Sequence, residues 1–181
     1  MKTNTPQNQP AGAAIRQLAF VAVFAASALS GRADDNRAPE VPFEIAVPIG
    51  NVVHFRGYAQ GVQIYTWNGS SWGNAVPQAT LFDQDGNVVI NHFAGPTWQS
   101  NSGSKVVGAL PPLAKTVDDT AIAWLRLAAA STEGPGILAD TTFVHRVNTV
   151  GGLAPKEPGI VIGQVARIPY TADYFFYRRS N

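Results

Sequence analysis

Short apolar runs are the feature that most limits the folds open to this chain. From Val41 onward, runs of roughly four to eight apolar residues are interrupted by Gly, Pro, Asn or Asp about every 8–12 residues. Runs of this length, rich in Val, Ile, Phe and Tyr, are typical of strands in sandwiches and barrels. The sequence therefore predicts an all-β fold, with one small β-sandwich or β-barrel domain.

The same punctuation predicts where the strands lie. They are expected near Ile45–Val47, Val52–Tyr58, Val62–Trp67, Gln78–Phe82, Val88–Phe93, Lys105–Ala109, Ile122–Ala128, Thr142–Thr149, Ile160–Ile168 and Tyr174–Arg178. Asp85-Gly86 between two apolar runs indicates a hairpin, since Gly tolerates the positive φ of such turns. The alanines of residues 121–131 favour a helix, but the length of this segment and its strand neighbours favour a strand, which we predict.

The first thirty-three residues have a different character. Lys2 and Arg16 precede an uncharged apolar run over residues 18–29, and small residues follow it. This is the pattern of a signal peptide, and the run falls short of the roughly 20 apolar residues that span a membrane. We predict a cleaved signal peptide over 1–33, a flexible lead over 34–42 and a β-rich domain over 43–181. The protein is then exported, to the periplasm or the extracellular space, without stable membrane insertion after processing.

Charge and cysteine content exclude several classes of function. Removing residues 1–33 takes away three basic residues and no acidic ones, so the formal charge changes from +1 to −2. Without a Lys/Arg cluster, the chain lacks the electrostatic pattern of a nucleic-acid-binding protein. It has no cysteine, so disulfides and thiolate metal sites are excluded. The three histidines have no spacing typical of a metal site, and we predict neither metal nor cofactor.

Two motifs resemble functional sites but lack the expected context. Ser71 lies in a Gly-x-Ser-x-Gly sequence, but no helix is expected after it, so a hairpin loop is favoured over a hydrolase nucleophile. Asp83 and Asp85 resemble part of a calcium loop. The glutamate required at the twelfth position is replaced by Ala94, however, so a turn is favoured.

The strongest candidate for a binding site is His92, at the end of a predicted strand. Gly95-Pro96 and Trp98 follow it, and together these residues suit the wall of a ligand pocket. The alternative is that Trp98 packs in the core and His92 donates a hydrogen bond to a loop carbonyl. Tyr65 is a further candidate. Arg146 is expected either to pair with an acid such as Asp173 or to bind an anionic ligand.

Seven segments of the chain resemble one known family, in order and over nearly all of residues 34–181. They are Gly61–Thr66, Trp72, Pro77–Asp83, His92–Trp98, Ile122–Leu127, Arg146–Gly152 and Pro169–Tyr177. The resemblance is to domain of unknown function 3455, a family that looks exported and has no established activity. Some fungal members are labelled malate dehydrogenase. This chain does not support that label, because it has no Gly-x-Gly-x-x-Gly sequence and no expected βαβ unit.

The resemblance also implies a contact between two distant segments. Similar proteins often carry one cysteine after the Ile-Tyr-Thr element and a second after the Gly-Gly-x-x-Pro element. Here these places hold Trp67 and the surroundings of Pro158. If relatives join them by a disulfide, Trp67 is expected to contact residues 156–160.

Together these observations favour a binding or structural module over a catalyst. A small apolar or carbohydrate ligand would lie against Trp98 and His92. The alternative is a small-barrel enzyme in which His92 acts as general acid or base and Arg146 holds a substrate charge. An enzyme would need an acid or a second donor within hydrogen-bond reach of His92. The sequence alone does not name the ligand or the reaction.

Overall fold

The computed structural model describes Met1 and residues 36–180, so the predicted signal peptide beyond Met1 lies outside the described residues. The described residues form a 3-10 helix, Phe43–Ile45, and nine β-strands. The strands are β1 Asn51–Thr66, β2 Val76–Phe82, β3 Val88–Phe93, β4 Thr97–Ser100, β5 Lys105–Gly108, β6 Leu113–Lys115, β7 Trp124–Glu133, β8 Phe143–Gly151 and β9 Val165–Arg179. No helix in this part of the chain is long and apolar enough to cross a membrane.

Eight of these strands form a closed antiparallel barrel. Strands β1 to β5 follow one another as neighbours, and so do β7, β8 and β9. The sheet closes because β9 pairs with β1 and β5 pairs with β7. The short strand β6 pairs with the first residues of β7, beyond the part that β5 occupies. The predicted all-β fold is confirmed, and its architecture is a barrel.

The longest strand, β1, was predicted as two strands separated near Gly61, and this prediction was wrong. Gly61 lies inside β1 and pairs with Ala79 of β2 and Tyr170 of β9. A Cβ atom at Gly61 would lie 2.3 Å from the carbonyl oxygen of Gln78 and 2.4 Å from Cβ of Ala79. The glycine is thus required by close strand approach, not by a turn.

Several other segments differ from their predicted structure. Ile45–Val47 is not a strand, because residues 43–45 form the 3-10 helix. Residues 160–164 form an exposed loop, and β9 begins at Val165. Strand β9 continues through Pro169, which is tolerated because β8 ends opposite Tyr170 and leaves that edge of β9 unpaired. The strands β4 and β6 were not predicted, whereas the strand predicted within residues 121–131 is confirmed.

Alternate residues of the strands face two separate apolar clusters. The inner cluster fills part of the barrel and includes Leu81, Ile90, Val106, Leu138, Val144 and Phe176. Leu138 comes from the β7–β8 loop and is fully buried there. The outer cluster is formed by Val53, Val147, Phe175 and Tyr177, against which Val41 and Val47 pack from the segment before β1. The predicted boundary between a flexible lead and the domain at Phe43 stays a prediction.

A β-bulge in β1 allows that strand to serve both clusters. Val53 pairs with Tyr177 and Phe55 pairs with Phe176, so the register shifts by one residue between them. Without the shift, Val53 and Phe55 would face the same side of the sheet. With it, Val53 faces the outer cluster and Phe55 packs against the inner one.

Candidate functional site: a cavity at one end of the barrel

One end of the barrel contains a cavity of about 750 Å³. Three segments form its mouth: residues 74–77 at the start of β2, residues 94–96 between β3 and β4, and residues 110–112 between β5 and β6. Leu125 and Leu127 of β7 contribute apolar wall. Toward the opposite end, Leu81, Ile90, Leu138 and Phe176 of the inner cluster are fully buried. Trp98, Leu127 and Tyr174 belong to the same cluster and also line the cavity. Cavities of roughly 300–1,000 Å³ are the usual size for small-molecule sites.

The inner wall of the cavity includes an aromatic stack. The rings of His92 and Trp98 are parallel, with centroids 4.3 Å apart and an interplanar angle of 2°. Tyr174 meets both rings edge-on, at 5.2 Å from His92 and 5.6 Å from Trp98, and Phe176 meets Trp98 at 6.1 Å. Trp98 is 1% exposed. Its faces are therefore used in packing, which leaves no open platform for a sugar ring.

The protonation state of His92 follows from its surroundings. Nδ1 lies 2.9 Å from the carbonyl oxygen of Thr97. Because a carbonyl can only accept, Nδ1 carries the proton and Nε2 has the free lone pair. Burial lowers the pKa of His92 to about 3. The hydrogen bond to the Thr97 carbonyl acts to raise this pKa, and the nearby positive charge of Arg146 acts to lower it. His92 is therefore neutral at pH 7.

Two buried donors beside the cavity lack a hydrogen-bond partner among the described residues. They are Nε1 of Trp98 and the amide nitrogen of Gln63. Gln63 is 2% exposed, and both side chains line the cavity. An unpaired buried donor costs roughly 1–3 kcal/mol. Such groups call for a partner, which a molecule in the cavity would provide.

Arg146 adds a positive charge to the same wall. Its Nε and Nη2 donate to the carbonyl oxygen of Ala123, at 3.2 and 2.8 Å. The expected partner Asp173 instead forms an ion pair with Arg56 at 2.8 Å and accepts a hydrogen bond from Asn148. Within the part of the chain that the structure describes, no carboxylate pairs with Arg146. Of the two expectations for Arg146, an acid partner at Asp173 is therefore wrong.

Burial raises the pKa of Tyr174 at the same wall, while the charge of Arg146 and a hydrogen bond from its side chain act to lower it. Tyr174 therefore keeps its proton at pH 7. The guanidinium of Arg146 accordingly lies near neutral groups, His92 and Tyr174, and no described negative charge balances it.

Tyr65, the fourth predicted site residue, is not among the residues that line the cavity. Its hydroxyl donates to the carbonyl oxygen of Gly152 at 2.6 Å. Burial raises the pKa of this hydroxyl. The structure thus brings His92, Trp98 and Arg146 together at the cavity and gives Tyr65 a hydrogen bond elsewhere.

The other two histidines, His54 and His145, do not line the cavity. His145 is buried in contact with the outer cluster, where Nε2 lies 2.7 Å from the carbonyl oxygen of Ile45 and Nδ1 lies 3.0 Å from the hydroxyl of Tyr177. His54 lies in the bulge of β1, and Nε2 is 3.3 Å from the hydroxyl of Thr141. Among residues 36–180, no three His, Asp or Glu side chains form a group that could hold a metal ion.

The Gly-x-Ser-x-Gly motif around Ser71 and the calcium-like motif at Asp83 and Asp85 are both turns. Ser71 is exposed in a loop between β1 and β2, where the side chain of Asn68 accepts from the backbone amides of Ser70 and Ser71. Asp83 accepts from the backbone amides of Asp85 and Asn87 in the β2–β3 loop. These hydrogen bonds account for both sequences as local turn structure.

Sequence reasoning missed Gln63, although a signal for it existed. Alternation along β1 places Ala59, Gly61 and Gln63 on the face that points into the barrel. A polar residue at an inward position between Val62 and Ile64 marks a possible site. Of the cavity mouth, Gly95-Pro96 was predicted with His92, whereas residues 74–77 and 110–112 carried no such signal, because chain closure alone brings them to the site.

The fold and this constellation define a class of protein: a small antiparallel β-barrel with a cavity at one end that has a cationic, donor-rich wall. The chain belongs to the family described as protein of unknown function DUF3455, whose model matches residues 48–178. The matched range contains β1 to β8, all of β9 except Arg179, and every residue that lines the cavity. Searches of curated proteins and of solved structures gave no match.

Proposed function

We propose that this protein is an exported binding module whose barrel cavity takes up a small, largely apolar molecule. The observation that carries the proposal is the cavity of about 750 Å³ in which the buried nitrogens of Trp98 and Gln63 lack partners. A cavity with apolar walls and a few convergent polar groups is the usual form of a small-molecule site. The polar groups would orient the molecule, and Leu125 and Leu127 would contact its apolar part.

An apolar ligand fits this wall better than a carbohydrate. Sugar binding commonly uses an exposed aromatic face, and both Trp98 and His92 are stacked and buried. Binding also fits better than general acid–base catalysis. Such catalysis is most effective with a pKa near the working pH, and the pKa of His92 is about 3. None of its described hydrogen bonds is to a carboxylate.

Export is the second part of the proposal, and it rests on the N-terminal sequence pattern. The charged start, the short apolar run and the small residues after it support a signal peptide over residues 1–33. Outside the cell, a protein with such a cavity could carry an apolar molecule through water, in which the molecule alone is poorly soluble.

Fluorescence of the neutral probe N-phenyl-1-naphthylamine tests the binding proposal. The emission of this probe rises in an apolar site, so we expect a saturable rise with the purified protein. Leu125→Trp places a bulky side chain on the cavity wall and is expected to weaken binding at least tenfold. Leu113→Trp is the matched control, because Leu113 is exposed on β6 and outside the cavity lining. Equal binding by both variants would contradict the proposal.

A further inference from the structure

The polar wall of the cavity is made largely of hydrogen-bond donors. The unpartnered groups are the indole N–H of Trp98 and the amide N–H of Gln63, both buried. Arg146 lines the same cavity, and its guanidinium has five N–H donors. Nε and Nη2 donate to the carbonyl oxygen of Ala123, and the side chain also hydrogen-bonds Tyr174. A molecule that satisfied all three groups would have to offer several acceptor atoms close together.

The charge at this wall is positive, and no negative group of the lining balances it. Arg146 has no carboxylate partner among the described residues, because Asp173 pairs with Arg56 on the outer face of the barrel. Of the other titratable groups that line the cavity, neither carries a charge at pH 7: His92 has a pKa of about 3, and the pKa of Tyr174 is raised. A partly buried cation without a counterion is costly unless an anion balances it.

Apart from Asn74, the remaining walls are apolar, which restricts the anion further. Leu125, Leu127, Pro111 and Pro112 lie along the cavity, and Pro111 and Pro112 offer no backbone N–H. A small hydrated inorganic ion would leave these walls without contacts. The ligand therefore needs an apolar body as well as a charged head.

From these three features we infer that the cavity binds an amphipathic carboxylate, with its head group on Arg146, Trp98 and Gln63 and its apolar body toward the mouth. A carboxylate has two oxygens with about four acceptor positions, enough for the three donors. Arg146 would form a charge-assisted hydrogen bond, which is shorter and stronger than a neutral one. This inference rests on the proposed function, because it assigns the chemical class of ligand for the same cavity.

Calorimetric titration with octanoate and 1-octanol tests the assignment, since the two probes share a chain and differ in head group. We expect octanoate to bind at least tenfold more tightly at pH 7. Arg146→Gln is expected to remove this preference and leave octanol binding nearly unchanged. Arg146→Lys keeps the charge and should retain part of the preference, which guards against a loss caused by misfolding. Arg126→Gln is the control, because Arg126 is on the outer face of β7 and donates to the carbonyl oxygen of Ala46.

The outcomes separate the two claims. If octanol binds as tightly as octanoate and Arg146→Gln changes neither, the cavity binds apolar molecules and the carboxylate assignment is overturned. If neither probe binds, the proposed function is overturned together with the assignment. If Arg126→Gln removes the preference as fully as Arg146→Gln does, the effect comes from net charge and the assignment to Arg146 is overturned.

Discussion

At the scale of single residues, the buried histidines make stability depend on pH. Burial lowers the pKa of His92 from 6.5 to about 3 and that of His54 to about 4, and it also lowers the pKa of His145. Between these values and 6.5 the unfolded chain binds more protons than the folded one, so stability falls as pH falls. The contribution of neutral His92 is complete above about pH 6.5 and is lost progressively toward pH 3.

We therefore expect the free energy of unfolding to decrease between pH 6.5 and 4, with His92 contributing up to about 1.4 kcal/mol per pH unit. His92→Phe keeps an aromatic ring against Trp98 but cannot take up a proton. The free energy of unfolding of this variant should be lower at pH 7, because the Thr97 carbonyl loses its hydrogen bond from His92. Its decrease with falling pH should also be smaller, because the contribution of His92 is removed. Urea unfolding across this pH range measures both effects. An unchanged slope in His92→Phe would show that the folded protein protonates His92 without cost.

At the scale of elements, the contact expected between Trp67 and residues 156–160 is confirmed. A Cβ atom built on Gly159 would lie 2.4 Å from Cγ and 2.7 Å from Cβ of Trp67. The indole N–H of Trp72 donates to the carbonyl oxygen of Glu157 at 3.0 Å, and the two tryptophan rings meet edge-on at 5.4 Å. Cβ atoms of a disulfide are roughly 3.5–4.5 Å apart. A disulfide between positions 67 and 159 would therefore need the two Cβ atoms to lie farther apart than the 2.7 Å found here.

This contact predicts that Gly159→Ala destabilises the protein. The added methyl group would overlap the Trp67 ring, and overpacking of this kind costs about 1–3 kcal/mol. Gly73→Ala is the control, because a Cβ there meets its nearest atom at 3.4 Å, an ordinary contact. The midpoints of urea unfolding compare the two variants. Equal midpoints would mean that the loop moves away from Trp67 freely.

Elements differ in how far the sequence alone predicts them. The β2–β3 hairpin and β7 were predicted because their signals, Asp-Gly and a buried apolar run, are local. The continuity of β1 through Gly61 was not predicted, because the sequence does not distinguish a glycine in a turn from a glycine packed against a neighbouring strand. At the site, His92 and Trp98 were predicted from one short segment, whereas Gln63 and the loop around Pro111 enter only when the barrel closes.

At the scale of the whole molecule, the predicted signal peptide sets where the cavity would work. We expect the mature N-terminus to lie between Leu29 and Asp35, because the apolar run ends there in small residues. N-terminal sequencing of the protein recovered outside the cytoplasm measures this directly. Recovery from a membrane fraction with Met1 intact would contradict both cleavage and export.

The central claim is that a small molecule enters the barrel cavity and lies against the indole N–H of Trp98. The chain has four tryptophans, so the indole N–H region of a nitrogen-15 correlation spectrum should hold four signals. The indole of Trp72 is bonded to Glu157 outside the cavity, and neither Trp67 nor Trp124 lines it. Titration with N-phenyl-1-naphthylamine should shift the Trp98 signal saturably and leave the other three in place. Binding of the probe with the Trp98 signal unmoved, or with the Trp67 and Trp72 signals moved instead, would contradict the account.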